Sequence, residues 1–313
     1  MSLGALAAAL TSALPPGAVR RAVPVADLTT YRLGGPVDVM VRVTTDAELA
    51  VVAAAAGRAD PPPAVLVLGR GSNLLVADRG FPGLGVLLAG DFEAIELDPA
   101  GVVRAGGGTP LPVLARRAAA AGLGGLEFYV GIPGSVGGAV RMNAGGHGRD
   151  TAAVLRLAFT VDLLARAEAP RARAAADLDL GYRHSALGPS EVVTRAEFTA
   201  TPDDPDACAA RIEEVVRWRR QHQPGGANAG SVFRNPPGDS AGRLIDAVGL
   251  KGLRFGGALV SPKHANFFQA EPGATADDVA MLVAEVQARV DAATGVHLEP
   301  ELQLVGFEQE ARR

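Results

Sequence analysis

Two glycine-rich segments constrain the fold of this chain more than any other feature. They read GRGSNLLV at residues 69–76 and GIPGSVGGAVRMNAGGHG at residues 131–148. Neither follows the G-x-G-x-x-G pattern of a Rossmann βαβ unit, and neither is a phosphate-binding P-loop. Main-chain N–H groups in such segments can form concave anion sites that hold a pyrophosphate. The alternative is a pair of tight connections in a sheet, for which glycine is equally suited.

The hydrophobic pattern predicts an irregular succession of strands and helices. Helices are predicted over residues 46–57, ending at a glycine, and over residues 111–122. Short strands are predicted over residues 64–68, 85–89, 94–98, 102–105, 157–164 and 191–200. This order lacks the regular alternation of a doubly wound sheet, and we therefore expect an α+β fold.

The pattern changes near residue 203, where the segment TPDDPD (201–206) predicts a linker between domains. A helix is predicted to follow, with an apolar face made of Cys208, Ile212, Val215 and Val216 and extended by Trp218. A second helix is predicted to begin at a capping box formed by Thr275 and Asp278, and to end before Gly295.

Composition excludes several classes of protein. The net charge is −4, so no basic surface suggests a nucleic-acid partner. The single cysteine, Cys208, excludes an internal disulfide framework, and the histidines show no metal-ligand spacing, so no metal site is expected. The apolar N-terminal stretch has no basic residues before it, and no run of 18 apolar residues occurs. We expect a cytoplasmic protein without a membrane-inserted segment.

Residues 226–236, GANAGSVFRNP, place polar side chains on a glycine-bracketed main chain. The segment carries a hydroxyl at Ser231, carboxamides at Asn228 and Asn235, and a guanidinium at Arg234. A serine without a partner base is a poor nucleophile, but it can donate a proton at close range. The alternative interpretation is an ordinary polar surface loop.

Together with these segments, several further motifs resemble the family of UDP-N-acetylenolpyruvoylglucosamine reductases, often called the MurB family. The resemblance covers nearly the whole chain in order. Its motifs are TYRLGGPVD (30–38), GRGSNLL (69–75), GIPGSVGGAVRMNAG (131–145), GYRHS (181–185), QPGGANAGSVFRNP (223–236), AGRLIDAVGLKG (241–252), SPKHANF (261–267) and LEPELQLVG (298–306).

The resemblance implies a particular domain organisation. It predicts an FAD-binding fold of the vanillyl-alcohol-oxidase (PCMH) type, built from two α+β subdomains, and a smaller α+β domain that binds the substrate. The expected bounds are residues 1–80 and 81–203 for the two FAD-binding subdomains and 204–300 for the substrate-binding domain. A C-terminal strand within residues 301–313 is expected to return to the first subdomain.

The resemblance also implies a reaction. NADPH reduces non-covalently bound FAD, and the flavin then passes hydride to the enolpyruvyl ether of UDP-N-acetylglucosamine, giving UDP-N-acetylmuramate for peptidoglycan synthesis. The family's catalytic arginine matches Arg183, its proton donor matches Ser231, and its glutamate matches Glu301. Glu299, two residues earlier in LEPE, is the alternative to Glu301.

The resemblance further assigns binding residues. Those expected to bind FAD are Gly69, Arg70, Gly71, Ser72, Asn73, Leu74, Gly131, Ile132, Pro133, Gly134, Ser135, Gly137, Gly138 and Ala139. Those expected to bind the UDP-linked substrate are Tyr182, Asn228, Arg234, Asn235, Lys263 and His264. The alternatives for Tyr182 are a place in the nicotinamide channel or a structural hydrogen bond, and the alternative for His264 is a packing function. Lys263 and Arg234 are the candidates for its pyrophosphate, since substrate phosphates require cations. No obligatory protein partner is evident.

The chain departs from the family pattern in two places. The segment between Ser185 and Val192 is too short for the insertion that carries a substrate-closing tyrosine in some members, so the chain resembles the shorter subtype. Arg141 and His147 occupy positions where smaller or aromatic residues are usual. We expect flavin still to bind, with an affinity that these two residues affect. Two other functions stay open: a flavin oxidoreductase of the same fold with a different substrate, and a non-catalytic nucleotide-sugar-binding protein.

Overall fold

The computed structural model describes residues 1–165 and 169–307. The α-helices within these ranges are α1 (Leu3–Ala13), α2 (Asp46–Ala56), α3 (Leu111–Ala120), α4 (Val136–Met142), α5 (Pro205–His222), α6 (Ala241–Ala247) and α7 (Ala276–Thr294). Short 3₁₀ helices lie at Ala26–Leu28, Gly90–Glu93, Glu127–Gly131 and Ala175–Leu178.

The strands are β1 (Val19–Pro24), β2 (Pro36–Val43), β3 (Val65–Leu68), β4 (Leu74–Val76), β5 (Phe81–Leu88), β6 (Ile95–Asp98), β7 (Val102–Gly106), β8 (Leu123–Gly124), β9 (Gly145–Gly146), β10 (Arg149–Asp150), β11 (Leu155–Asp162), β12 (Arg171–Ala174), β13 (Glu191–Thr199), β14 (Thr201–Pro202), β15 (Arg254–Phe255), β16 (Ala258–Val260), β17 (Phe268–Ala270) and β18 (Gln303–Val305). The mixture of helices and mostly antiparallel strands confirms the α+β prediction.

The chain divides into two compact units. The first contains residues 1–22, 38–70 and 83–218, and the second contains residues 23–37, 71–82 and the chain from Arg219. These bounds differ from those of the three functional domains expected from the sequence, and the boundary falls inside α5 instead of near residue 203. Compactness does not assign function, so the division into two FAD-binding subdomains and a substrate-binding domain stays a prediction.

The first unit contains two large sheets, each with its own core, and two short two-stranded sheets, β10-β9 and β14-β8. The four-stranded sheet has the order β1-β2-β5-β3, and its apolar residues pack with those of α1 and α2. The antiparallel five-stranded sheet has the order β12-β11-β13-β7-β6 and packs with α3, α4 and α5. The predicted apolar face of α5 is confirmed, since Cys208, Ile212 and Val215 are buried. Trp218 is 42% exposed, so the prediction that it extends this face is wrong.

The second unit is built around α6, α7 and the three-stranded sheet β15-β16-β17. The capping box of α7 is confirmed: the Thr275 hydroxyl accepts from the Asp278 amide at 3.0 Å, and the Asp278 carboxylate accepts from the Thr275 amide at 3.0 Å. The helix ends at Gly295, which has a φ of +70°. Strand β18 pairs in parallel with β4. The remainder of the predicted C-terminal strand, 308–313, lies outside the described residues.

Candidate active site

The two glycine-rich segments meet in the first unit. Gly69 follows β3, and a Cβ atom at this position would lie 2.3 Å from the Ser135 hydroxyl oxygen. Ser135 is 2% exposed and is the N-cap of α4, where its hydroxyl accepts from the Gly138 amide at 3.4 Å. A side chain at position 69 would therefore push against the helix start, which explains glycine there without reference to a ligand.

Most amides of the second segment are already used inside the protein. The amides of Ile132, Val136, Gly137 and Ala139 donate to carbonyl groups of Tyr129, Thr109, Gly107 and Ser135, respectively. Within the described ranges, by contrast, the amides of Gly134 and Ser135 have no acceptor, although both residues are buried. Buried main-chain donors are nearly always paired in folded proteins. These two amides therefore fit an anionic group such as the FAD pyrophosphate.

Gly138 differs from the other glycines of these segments. It is exposed within α4, and a Cβ atom would meet only the Ser135 hydroxyl, at an ordinary 3.5 Å. At Gly137, a Cβ atom would lie 3.1 Å from the Gly107 carbonyl oxygen, so that position is already constrained by the protein. The fold thus has room for a side chain at 138, and a close ligand would be the reason for its absence.

The remainder of the first segment belongs to the second unit. Gly71 has a φ of +58°, and a Cβ atom would lie 2.1 Å from the Leu28 carbonyl oxygen, so packing alone requires glycine there. The Asn73 side-chain amide donates to the Glu301 carbonyl at 3.0 Å, and the Asn73 carbonyl accepts from the Gln303 amide at 3.0 Å. Asn73, expected to bind the cofactor, therefore anchors the main chain of the predicted catalytic glutamate.

Arg183 occupies the tip of a tight turn in the first unit. The amides and carbonyls of Gly181 and His184 exchange hydrogen bonds of 3.2 Å, and Arg183 has a φ of +54°. Its guanidinium carbon lies 5.1 Å from the centre of the Tyr182 ring. A positive φ at a residue other than glycine costs free energy, and such positions are concentrated at functional sites.

The turn is anchored to the C-terminal end of α4 by Asn143, which the sequence analysis missed. This side chain is 3% exposed, and its amide donates to the Gly181 carbonyl at 2.9 Å and to the Asp150 carboxylate at 3.1 Å. The Ser185 hydroxyl donates to the Arg141 carbonyl at 2.7 Å. Helix α4 thus begins beside the amides that fit the FAD pyrophosphate, and it ends at Asn143, which holds the Arg183 turn.

Arg141 supports the short segment that stands in place of the tyrosine insertion. Its guanidinium donates to the carbonyls of Gly188 at 2.8 Å and Glu191 at 2.7 Å, and burial lowers its pKa. His147 is exposed and contacts the Trp218 ring edge-on, with 5.0 Å between the ring centres. The effect of the two residues on flavin affinity stays a prediction, but Arg141 has a structural function that explains its presence.

Ser231 and Glu301 lie on neighbouring stretches of main chain in the second unit. The Glu301 amide donates to the Val232 carbonyl at 2.8 Å, and Phe233 forms an antiparallel bridge with Pro300. Ser231 itself forms an antiparallel bridge with Phe267 on the other side. The structure thus brings two of the three predicted catalytic residues together, although they are 70 positions apart in the sequence.

The alternative glutamate, Glu299, has a different environment. Its side chain is 73% exposed and lies 3.9 Å from the Arg234 guanidinium, while the Arg234 amide donates to the Glu299 carbonyl at 2.9 Å. Glu301 is half-buried beside the Ser231 segment. This arrangement favours Glu301 as the catalytic candidate.

Several residues expected to bind substrate make hydrogen bonds inside the protein. The Asn228 carboxamide accepts from the Gly230 amide at 3.0 Å, and the Asn235 carboxamide accepts from the Ala241 amide at 3.1 Å. The Lys263 ammonium donates to the Arg220 carbonyl at 2.5 Å. His264 accepts from the Asn266 amide through Nδ1 at 3.2 Å, and burial lowers its pKa. These contacts shape the segments around Ser231.

Within residues 1–165 and 169–307, no group of three or more histidine, cysteine, aspartate or glutamate side chains is placed to hold a metal ion. In the same ranges no helix is both long and apolar enough to cross a membrane.

Two stretches of the chain, residues 37–160 and 221–305, match known family models. A family model described as the FAD binding domain matches residues 37–160. The chain is accordingly an FAD-dependent oxidoreductase with the predicted vanillyl-alcohol-oxidase type of fold. A second family model, described as the UDP-N-acetylenolpyruvoylglucosamine reductase C-terminal domain, matches residues 221–305.

Full-length relatives agree with these matches. The chain is 43% identical over 293 residues to UDP-N-acetylenolpyruvoylglucosamine reductase 2 of Symbiobacterium thermophilum, covering 93% of each protein. It is 41% identical to the corresponding reductase of Caulobacter vibrioides, covering 90% of this chain and 92% of that one. The crystal structure of the Thermus caldophilus reductase superimposes with a TM-score of 0.79 at 40% identity, covering 92% of this chain and 98% of that one. The chain belongs to the UDP-N-acetylenolpyruvoylglucosamine reductase family.

Proposed function

We propose that this chain reduces the enolpyruvyl ether of UDP-N-acetylglucosamine to UDP-N-acetylmuramate, with FAD as cofactor and NADPH as hydride donor. The observation that carries the proposal is the pairing of the Ser231 segment with the Glu301 segment in the second unit. It places a hydroxyl-bearing and a carboxylate-bearing residue side by side, in the part of the chain that matches the reductase C-terminal domain.

FAD, when bound, carries hydride from NADPH to the β-carbon of the enolpyruvyl double bond. The buried amides of Gly134 and Ser135 would hold its pyrophosphate, and the open face at Gly138 would allow its close approach. Hydrogen bonds from neutral main-chain amides to a charged phosphate are stronger than those between neutral groups. This use of the amides accounts for two buried donors that would otherwise be costly to the folded state.

Arg183 binds the substrate carboxylate. Addition at the β-carbon moves negative charge onto the conjugated carboxylate, and stabilising that charge lowers the barrier. A planar guanidinium meets a carboxylate with two parallel hydrogen bonds. The anchored turn of residues 181–184 holds the main chain of Arg183, so less entropy is lost when the carboxylate binds.

Ser231 protonates the α-carbon after hydride addition, and Glu301 polarises the enol form of the intermediate. A positioned proton donor contributes about 10²- to 10⁴-fold to rate. The main-chain hydrogen bond between Glu301 and Val232 fixes the carboxylate-bearing residue beside the proton donor. Ser231 and Glu301 therefore act in the same chemical step.

The substrate's UDP group would be bound by Lys263 and Arg234, with Tyr182, Asn228, Asn235 and His264 in supporting contacts. Lys263 and Arg234 supply positive charge on segments that flank Ser231. A cytoplasmic location and the lack of an obligatory protein partner stay predictions.

Turnover of the enolpyruvyl substrate tests the proposal directly. We expect purified protein to be yellow, to release FAD on denaturation, and to oxidise NADPH only when the enolpyruvyl nucleotide is present. Yellow protein that reduces a different acceptor would favour another flavin oxidoreductase. Colourless protein that binds the nucleotide without oxidising NADPH would favour a binding protein.

A further inference from the structure

Asn266 is a buried polar residue that no part of the proposed chemistry uses. It is 2% exposed and lies between Ala265 and Phe267, both of which are buried. Its side chain forms hydrogen bonds with both main-chain polar groups of Phe233. The Phe233 amide donates to Asn266 Oδ1 at 2.9 Å, and Asn266 Nδ2 donates to the Phe233 carbonyl at 2.8 Å. The main-chain carbonyl of Asn266 accepts from the Val232 amide at 2.8 Å.

These three hydrogen bonds fix the segment that carries the proposed proton donor. Ser231 directly precedes the two residues that Asn266 holds. On the opposite side, the Val232 carbonyl accepts from the amides of Glu301 at 2.8 Å and Leu302 at 3.2 Å. The segment therefore lies between Asn266 and Glu301, and a rotation of the Phe233 peptide would displace both catalytic candidates together.

We infer that Asn266 is a positioning residue, which holds Ser231 and Glu301 in the geometry required for protonating the substrate. The inference rests on the proposed function. A side-chain amide that both donates to and accepts from the main chain of one residue pairs with it as a neighbouring strand would. The two hydrogen bonds fix the orientation of that residue as well as its distance from the side chain. A shift of about 1 Å at a catalytic group can reduce rate by about 10²-fold.

An aspartate at position 266 separates positioning from packing, because it changes shape very little. When protonated, a carboxylic acid keeps both functions of the carboxamide: its carbonyl oxygen accepts and its O–H donates. When ionised, it can only accept, and it repels the Phe233 carbonyl. Burial raises the pKa of such a carboxyl group, so the change occurs within an accessible range of pH.

Other titratable or charged groups lie on the same and neighbouring segments. They are His264, whose Nδ1 accepts from the Asn266 amide, Lys263 on the same segment, Lys251, whose charge acts on His264, and Arg234, Glu299 and Glu301 on the adjoining stretches. All of these groups are present in both the wild type and Asn266→Asp. Dividing the rate of the variant by that of the wild type at each pH therefore isolates the group at position 266.

The experiment is stopped-flow absorbance of the flavin in wild-type protein and Asn266→Asp between about pH 5 and pH 9. We expect reoxidation by the enolpyruvyl nucleotide to be near wild type at low pH and to fall by about 10²-fold as the carboxyl ionises. Flavin reduction by NADPH should keep the wild-type pH profile. Parallel profiles for reoxidation, or an equal loss in both half-reactions, would overturn the inference.

Asn266→Ser provides a second measurement in case the aspartate variant does not fold. It removes the two side-chain hydrogen bonds to Phe233 without adding charge. We expect slower reoxidation of the flavin and near-normal reduction by NADPH at neutral pH. Equal slowing of both steps would again overturn the inference. Failure of the proposed function is distinguishable, because the wild-type flavin would then not be reoxidised by this substrate at all.

Discussion

Replacing Gly138 by alanine tests whether the second glycine-rich segment binds FAD. The added methyl group would meet only the Ser135 hydroxyl at 3.5 Å, which is normal van der Waals contact. Gly138 lies in α4, where alanine is favoured over glycine by roughly 0.5–1 kcal/mol. We therefore expect the apoprotein to be as stable as the wild type or slightly more stable.

The affinity for FAD, in contrast, should decrease in Gly138→Ala. If the cofactor packs against this exposed position, a methyl group placed between them overpacks the contact, which typically costs about 1–3 kcal/mol. That range corresponds to a roughly 5- to 150-fold increase in the Kd for FAD. A larger side chain such as valine should increase the effect.

The assay is FAD titration of the apoprotein, followed by flavin fluorescence, together with thermal unfolding of the same samples. Gly4→Ala is a matched control, because Gly4 also lies in the first turn of a helix and its nearest neighbour would be 3.9 Å away. Gly71→Ala is the opposite control and should damage the fold, because its Cβ would meet the Leu28 carbonyl. An unchanged FAD affinity in Gly138→Ala would refute the reasoning.

Two further predictions concern the substrate-binding residues. Lys263→Ala should raise the KM for the enolpyruvyl nucleotide by about tenfold or more through loss of a charged phosphate contact. Lys251→Ala, a control that removes an ion pair with Asp246, should leave the KM near the wild-type value. Equal KM values for the wild type and Lys263→Ala in steady-state assays would remove Lys263 from the site. Because the folded-state pKa of His264 lies below its ordinary value of 6.5, the unfolded chain takes up this proton first, and the free energy of unfolding should fall as pH drops below about 6.5. Urea denaturation at several pH values should show a weaker fall in His264→Asn, and identical pH dependence in the two proteins would contradict this.

Much of the fold could be predicted from the sequence, because its signals are local. The helix predicted over residues 46–57 is Asp46–Ala56, with Thr45 and Gly57 as its caps. The apolar run at 64–68 is the parallel strand Val65–Leu68, in which Leu66 and Leu68 are buried. By contrast, helix α4 could not be predicted, because its segment has the composition of a glycine-rich loop. The start of the helix depends on the Ser135 cap and on main-chain hydrogen bonds to residues 107–111. Those bonds join residues distant in sequence, which no local pattern shows.

The candidate site was predicted as a set of residues, but its supports were not. The motifs identified Arg183, Ser231 and Glu301, and the structure shows what holds the main chain of each. Asn143 supports the Arg183 turn, and Asn266 supports the Ser231 segment. Both supports are buried asparagines, and the only available signal was a carboxamide within an otherwise buried stretch, as in ANFF at residues 265–268. Their roles depend on tertiary contacts, because each bonds a residue more than thirty positions away.

The central claim is that Ser231 delivers the proton that completes the reduction, and Ser231→Ala tests it most directly. The change removes one oxygen, so folding and FAD binding should persist. Stopped-flow absorbance should show near-normal reduction of the flavin by NADPH, since that step takes no proton from this group. Reoxidation by the enolpyruvyl nucleotide should slow by about 10²- to 10⁴-fold, and Ser231→Cys should recover part of the loss. Equal slowing of both half-reactions, or unchanged reoxidation, would contradict the account.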